Sequence, residues 1–126
     1  MSAIFNHTII AAADPAESAQ FYVDILEAEH TQSWGVFSNI MLSGGVMLQF
    51  ATPPPQFDIS PVHMAFLCTD EHFDRAVTLL NERDLDYWAD PQRSRLHETN
   101  EEHGGRGVYF LDPSGMYLEL ITKPYL

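Results

Sequence analysis

The pattern of apolar and polar positions occurs twice along this chain. A short apolar run begins at His7 and ends at Asp14, and a second one begins at His63 and ends at Asp70. Short apolar runs with β-branched or aromatic residues, bounded by turn signals, are typical of buried strands. After each Asp the apolar residues recur at helical spacing, which predicts an amphipathic helix in each copy.

Capping signals mark the beginning of both helices. Asp14 is a good N-cap, and Pro15 suits the first helical position because the N–H that proline lacks would have no partner there. In the second copy, either Thr69 or Asp70 is a suitable cap. The helices are therefore predicted to begin directly after the two apolar runs.

The ends of the two copies also match. Residues 45–50 and 115–120 each begin with glycine after a turn signal and have the composition of a strand, so each is predicted to close a hairpin. The remaining strands are predicted over residues 31–34, 36–42, 86–88 and 108–111. Each copy therefore consists of a strand, a helix and three further strands.

A proline-rich segment, residues 52–56, separates the two copies as a linker should. We predict one domain over residues 1–126, built from a first repeat over about residues 1–52 and a second over about residues 60–126. The fold class is α+β, with two tandem βαβββ modules. A helix covers one face of each sheet, and the uncovered faces are expected to form a partly open mixed-sheet barrel or cleft.

Four polar residues occupy equivalent places in the two copies. Because side chains alternate across a strand, His7, His63, Gln49 and Glu119 are all predicted on the uncovered faces. Two imidazoles and one carboxylate form the facial triad that binds Fe(II) or a similar divalent ion, and the amide of Gln49 would be a fourth ligand. A lone histidine on a strand is more often structural, but the matched positions favour a metal site. Met47 shares the face of Gln49 and is a candidate substrate contact.

The second copy carries an insertion that the first lacks. This insert, residues 92–106, is polar and rich in glycine at its end, which predicts a mobile loop or lid. It contains three of the six basic residues of the chain, Arg93, Arg95 and Arg106. We expect these arginines to bind an anionic substrate. The alternative is a solvated loop whose arginines pair with its own glutamates.

Composition excludes several classes of function. Six Lys and Arg against eighteen Asp and Glu give a net charge of −12, which disfavours binding to nucleic acid. The longest apolar runs are shorter than a membrane span requires. Cys68 is the single cysteine, so no internal disulfide is possible, and the polar start of the chain does not resemble a signal peptide. We expect a cytoplasmic protein.

Several motifs resemble the vicinal-oxygen-chelate superfamily, which includes glyoxalase I, bleomycin-resistance proteins, fosfomycin-resistance thiol transferases, methylmalonyl-CoA epimerases and extradiol dioxygenases. The resemblance rests on Phe5-Asn6-His7 with Asp14 and Phe21-Tyr22, on Val62-His63-Met64-Ala65-Phe66, and on residues 107–120, with Asp112-Pro113-Ser114-Gly115 and Leu118-Glu119. It implies paired βαβββ modules, with metal ligands at His7, His63 and Glu119 and a further ligand at Gln49. Met116 departs from the His or Asn that relatives often carry, which weakens the thiol-transferase interpretation.

The resemblance implies two classes of function. The first is an enzyme that uses Fe, Mn, Ni, Co or Zn to bind a small substrate through two neighbouring oxygens, with Glu119 as ligand and base and Tyr117 as a candidate catalytic residue. Lyase or isomerase chemistry of the glyoxalase and epimerase kind ranks slightly above extradiol-type dioxygenation. The alternative is a metal-free protein that sequesters a cationic drug, which the net charge of −12 suits. A homodimer is expected in either case.

Overall fold

Side-chain caps begin both helices where the sequence places them. In the computed structural model, which describes residues 1–126, helix α1 spans Pro15–Leu26 and helix α2 spans Asp70–Glu82. The carboxylate of Asp14 accepts a backbone N–H of the first turn of α1 at 3.2 Å. The hydroxyl of Thr69 does the same for α2 at 3.1 Å, so Thr69 rather than Asp70 is the second cap. No helix combines the length and apolar composition that crossing a membrane requires.

The chain divides into two units, and the first, Met1–Ser60, carries α1 on one four-stranded sheet. Its strands are β1 (His7–Ala11), β2 (Glu29–His30), β3 (Ser38–Met41) and β4 (Met47–Ala51). Across the sheet the order is β1-β4-β3-β2. β1 pairs parallel with β4, and the other neighbours are antiparallel.

The second unit, Pro61–Leu126, repeats this arrangement around α2. Its strands are β5 (His63–Leu67), β6 (Tyr87–Trp88), β7 (Gly107–Leu111) and β8 (Tyr117–Ile121). The order β5-β8-β7-β6 and the parallel pairing of β5 with β8 match the first unit. Both units are βαβββ modules with an open sheet, which confirms the predicted fold class.

Alternation along the strands separates the core from the open face of each sheet. The large side chains that are 2% exposed or less include Tyr22, Ile25, Ile40, Leu48 and Phe50 in the first unit, and Phe73, Leu80, Phe110, Leu118 and Leu120 in the second. The rings of Tyr22 and Phe50 lie 4.7 Å apart. The core residues of β4 and β8 alternate with Gln49 and Glu119 along these strands. The side chains of Gln49 and Glu119 are therefore directed to the face of the sheet that the helix does not cover.

One strand lies elsewhere than predicted. The sequence predicts a strand over residues 31–34, whereas β2 is formed by Glu29–His30. The side-chain amide of Asn39 donates to the carbonyl of Gln32 at 2.9 Å, and its backbone N–H donates to the hydroxyl of Ser33 at 3.0 Å. These side-chain bonds replace the ladder that a strand would need.

Candidate metal and substrate site

His63 and Glu119 meet on the open face of the second sheet. In the parallel pairing of β5 with β8, Glu119 lies opposite Ala65, two residues along the same face from His63. Nε2 of His63 lies 3.2 Å from Oε1 of Glu119. The carboxylate is buried, whereas the imidazole is half exposed. The pair therefore presents a buried anion beside an accessible ring nitrogen.

The other ring nitrogen of His63 fixes the orientation of the imidazole. Nδ1 lies 2.9 Å from the backbone carbonyl of Tyr117, and because a carbonyl only accepts, Nδ1 carries the hydrogen. Nε2 then either holds a second proton and pairs with Glu119, or offers its lone pair to a cation. A backbone carbonyl that fixes the remote ring nitrogen is the usual support of a metal-binding histidine.

The spacing of the two atoms also fits a metal ion. Two ligand atoms at right angles, each about 2.1 Å from a metal, lie about 3.0 Å from each other. Nε2 of His63 and Oε1 of Glu119 are 3.2 Å apart. A divalent cation could therefore bind both atoms with little rearrangement of the two side chains.

A second oxygen of Glu119 is held by a tyrosine near the end of the sequence. The phenol of Tyr125 donates a hydrogen bond to Oε2 of Glu119, and the hydroxyl of Tyr109 lies 3.5 Å from that of Tyr125. The hydrogen bond to Glu119 raises the pKa of Tyr125, and burial raises the pKa of Tyr109 far above its usual range. Both phenols therefore remain protonated donors at neutral pH.

Three aromatic residues form a wall beside the pair. In the register of the sheet, Trp88 lies opposite Tyr109, and Tyr109 lies opposite Glu119. The ring of His63 lies 6.1 Å from that of Tyr109 and 5.7 Å from that of Tyr117. We call Trp88, Tyr109 and Tyr117 the aromatic wall. It gives the open face an apolar, partly desolvated surface next to the carboxylate.

The insert is bonded to the sheet through several backbone groups. The backbone N–H of His97 donates to the carbonyl of Tyr87 on β6 at 2.7 Å, and Asn100 exchanges two backbone hydrogen bonds of 2.9 Å with Gly107 on β7. Asp90 accepts from the hydroxyl of Ser94 at 2.6 Å, and that bond lowers the pKa of Asp90. The polar segment that suggested a mobile lid is thus attached at both ends.

Tyr117, the predicted catalytic residue, lies on the same face as Glu119 and contacts His63. Its hydroxyl hydrogen is directed to the carbonyl of Pro91, and burial raises its pKa. Tyr117 therefore lies between His63 and the segment that leads into the insert.

The three arginines of the insert lie in different surroundings. The guanidinium carbon of Arg93 lies 5.5 Å from the ring centre of Tyr117 and 5.7 Å from that of Trp88. Arg95 is exposed, and its Nε lies 4.0 Å from a carboxylate oxygen of Glu98. Only Arg93 of these two is in contact with the aromatic wall.

Arg106 contacts helix α2 instead. Its guanidinium bonds Asp74 at 2.7 Å, lies 3.6 Å from Asp70, and covers the ring of Phe73 at 4.4 Å. The hydrogen bond with Asp74 raises the pKa of Arg106. Its charge is neutralised on the helix side of the sheet, so the structure does not bring it to the pair of His63 and Glu119.

The first unit places His7 and Gln49 at the equivalent positions. His7 is exposed and lies opposite Met47 in the register, and Gln49 is buried and lies opposite Ile9. Nδ1 of His7 lies 2.6 Å from the amide oxygen of Asn6, so Nε2 is the nitrogen left available. In both histidines, therefore, Nδ1 is hydrogen-bonded to an oxygen of the chain and Nε2 is the nitrogen that could bind a cation.

An unpaired amide oxygen lies beside Gln49. Asn39 is directly opposite Gln49 in the sheet, is 1% exposed, and has no hydrogen-bond partner for its Oδ1. A buried acceptor without a partner is costly.

Neither unit by itself brings three or more His, Cys, Asp or Glu side chains together as a metal site. Of the predicted ligands, the structure brings His63 and Glu119 into contact, whereas His7 and Gln49 lie on neighbouring strands of the first sheet. Sequence reasoning missed Tyr109 and Tyr125. The hairpin pattern could have placed Tyr109 opposite Glu119, whereas no sequence signal marks Tyr125.

Comparison with known proteins adds one family match and three similar proteins. Residues 4–120 match the family described as the Glyoxalase/Bleomycin resistance protein/Dioxygenase superfamily. The solved structure of Oxidase ChaP-H2 is 42% identical, with a TM-score of 0.93 over 99% of this chain and 97% of that chain. Oxidase ChaP-H1 is 40% identical, with a TM-score of 0.91 over 98% of each chain. Metallothiol transferase FosB of Staphylococcus saprophyticus is 26% identical over 93% of this chain and 75% of that protein.

Proposed function

Because the chain belongs to the glyoxalase, bleomycin resistance protein and dioxygenase superfamily, we propose that it is a metal-dependent oxidase of a small substrate with two neighbouring oxygens. The observation that carries the proposal is the 3.2 Å approach of His63 Nε2 to Glu119 Oε1, with Nδ1 of the ring already bonded to a backbone carbonyl. This arrangement is the one expected of two metal ligands.

We propose His7, His63 and Glu119 as the metal ligands, with Gln49 as the fourth. The equivalent register of the two modules supports this assignment. Two neutral imidazoles, one amide and one carboxylate leave a divalent ion with a net positive charge. Such a centre favours an anionic oxygen ligand, and Fe, Mn, Ni, Co or Zn would suit these donors. When bound, the metal would polarise the substrate oxygens and, if redox-active, exchange electrons with oxygen.

The remaining residues of the site orient the substrate and exclude water. The aromatic wall covers one side of the pair, and Arg93 offers a guanidinium to an anionic group on the substrate. The carboxylate of Glu119 is desolvated and anchored by Tyr125, so it acts as a fixed ligand. Met47 lies opposite His7 and is proposed as an apolar contact for the substrate.

Two observations favour the oxidase over lyase or isomerase chemistry. The two structures at 42% and 40% identity are both named oxidases. An epimerase in which Glu119 moves protons would need this carboxylate to leave the metal, whereas the phenol of Tyr125 holds it in place. These observations reverse the slight preference that the sequence motifs alone suggest.

Oxygen uptake tests the proposal. Protein loaded anaerobically with Fe(II) is mixed with diols, keto acids or acyl thioesters, and oxygen consumption is followed. We expect consumption that depends on one substrate class and is lost in His63→Ala. Isomerisation or lyase turnover without oxygen uptake would overturn the oxidase assignment. Tight binding of a cationic drug by protein that binds no metal would overturn the enzyme altogether.

We further propose that the protein is a homodimer. On the open faces Ile9 is 58% exposed and Leu67 is 62% exposed, so both sheets display large apolar side chains beside the proposed ligands. We propose that a second copy of the chain covers these side chains. Sedimentation equilibrium should give the mass of two chains, and the mass of one chain would contradict the proposal.

A further inference from the structure

We infer that Tyr125 is a positioning residue of the metal centre, an inference that rests on the proposed function. Residues 122–126, which carry Tyr125, therefore contribute to metal binding. Tyr125 donates its phenolic hydrogen to Oε2 of Glu119. Oε1, the other oxygen, is the one that faces Nε2 of His63 at 3.2 Å. The tyrosine thus decides which oxygen of the carboxylate is left for the cation.

The hydrogen-bond directions support a single-oxygen ligand. A phenol has one hydrogen to donate, and that hydrogen is used on Glu119, so the Tyr125 oxygen accepts from Tyr109 at 3.5 Å. An Oε2 that accepts a hydrogen bond is a poorer metal ligand than a free oxygen. Glu119 is therefore held to coordination through Oε1, with its plane fixed by the phenol.

The insert holds the tyrosine in place. The ring of His103 stacks on that of Tyr125, with centroids 4.1 Å apart and an angle of 22° between the planes. Gly105 passes so close to the end of the chain that an added Cβ would lie 2.6 Å from Cγ of Lys123 and 2.7 Å from Oγ1 of Thr122. The Thr122 hydroxyl is itself fixed, because it accepts the backbone N–H of Arg106 at 2.8 Å.

These contacts form a continuous series from the insert to Glu119, the proposed metal ligand. Gly105 allows the segment after β8 to lie against the insert, His103 stacks on Tyr125, and Tyr125 orients Glu119. The residues that the second module has gained over the first thus support the only carboxylate among the proposed ligands. The first module carries neutral Gln49 at that position and has no such insertion.

Cobalt(II) titration tests the inference. Wild type, Tyr125→Phe and Gly105→Ala are titrated with Co²⁺ alone, and both the Kd and the visible absorption spectrum are recorded. Tyr87→Phe is the matched control, because it removes a phenol that bonds Asn81 at 3.0 Å outside the site. Phenylalanine at position 125 preserves the ring that stacks on His103. His63→Ala shows how far the proposed metal site accounts for binding.

We expect Tyr125→Phe to raise the Kd about tenfold or more, and to change the spectrum as the carboxylate becomes free to use both oxygens. Gly105→Ala should act in the same direction, and Tyr87→Phe should match wild type. An unchanged Kd and spectrum in Tyr125→Phe would overturn the inference while the metal site stands. Equal losses in Tyr125→Phe and Tyr87→Phe would also overturn it. Wild type that binds Co²⁺ no better than His63→Ala would overturn the proposed function and the inference together.

Discussion

Arg93 lies above the ring of Tyr117, with its guanidinium carbon 5.5 Å from the ring centre. The same tyrosine contacts His63 and donates its hydrogen to the carbonyl of Pro91. One residue of β8 therefore contacts both the proposed substrate-binding cation and Pro91, the residue before the insert. Arg93 also adopts a left-handed backbone conformation, with φ of 58°, which is uncommon for a residue with a side chain.

Replacing Arg93 by Ala is expected to weaken the binding of anionic substrates selectively. A charge-assisted hydrogen bond contributes about 1.5–3 kcal/mol, which corresponds to an increase in KM of roughly 10- to 150-fold. The KM of a neutral analogue should stay constant. Arg95→Ala is the matched control, because that side chain is exposed and lies 4.0 Å from Glu98. If Arg93→Ala changed the KM of the acidic and the neutral substrate equally, or no more than Arg95→Ala does, Arg93 would not be a substrate-binding residue.

The turn at Asp90 is expected to lose stability in acid. Its hydrogen bond from Ser94 lowers the pKa below the usual 3.8, so its stabilising effect is complete above that value and disappears as the pH falls through the lowered pKa. The free energy of unfolding of Asp90→Asn should therefore fall below that of wild type at neutral pH. The difference should narrow below about pH 4. Asp58→Asn, at an exposed position, should have nearly the same free energy of unfolding as wild type at both pH values. If the difference between Asp90→Asn and wild type became larger in acid, the hydrogen bond from Ser94 would not be the stabilising interaction.

A matched pair of valines tests which sheet face is the core. Val108 is 0% exposed on β7, and Val36 is 73% exposed. Val108→Ala should lower the free energy of unfolding by about 2–3 kcal/mol, since two methyl groups leave a packed site. Val36→Ala should change it by less than about 0.5 kcal/mol. Urea denaturation measures both, and similar losses would show that the face of Val108 is assigned wrongly.

The positions of His63 and Glu119 could be predicted because they depend on strand alternation. Each lies on a short apolar strand with a period of two, and the doubled pattern shows which positions are equivalent. The 3.2 Å approach of their side chains could not be predicted in the same way. It requires the parallel pairing of β5 with β8, which are separated by α2 and two strands, and no local signal encodes such a pairing.

Tyr125 and the fixed insert lay beyond prediction for a different physical reason. The insert bonds to β6 and β7 through the backbone carbonyls of Tyr87 and Gly107, and every residue carries a carbonyl. Its polar composition is therefore the same for a free loop and for an attached one. Tyr125 follows the last strand, outside any periodic segment, and its reach to Glu119 depends on the close contact that Gly105 allows.

We propose that one divalent cation is bound by His63, Glu119 and His7. An anomalous difference map from crystals saturated with Co²⁺, recorded at the cobalt edge, tests it most directly. We expect one strong peak about 2.1 Å from both Nε2 of His63 and Oε1 of Glu119, with Nε2 of His7 as the third ligand atom. A map with no peak between His63 and Glu119, or with cobalt bound by other side chains, would contradict it.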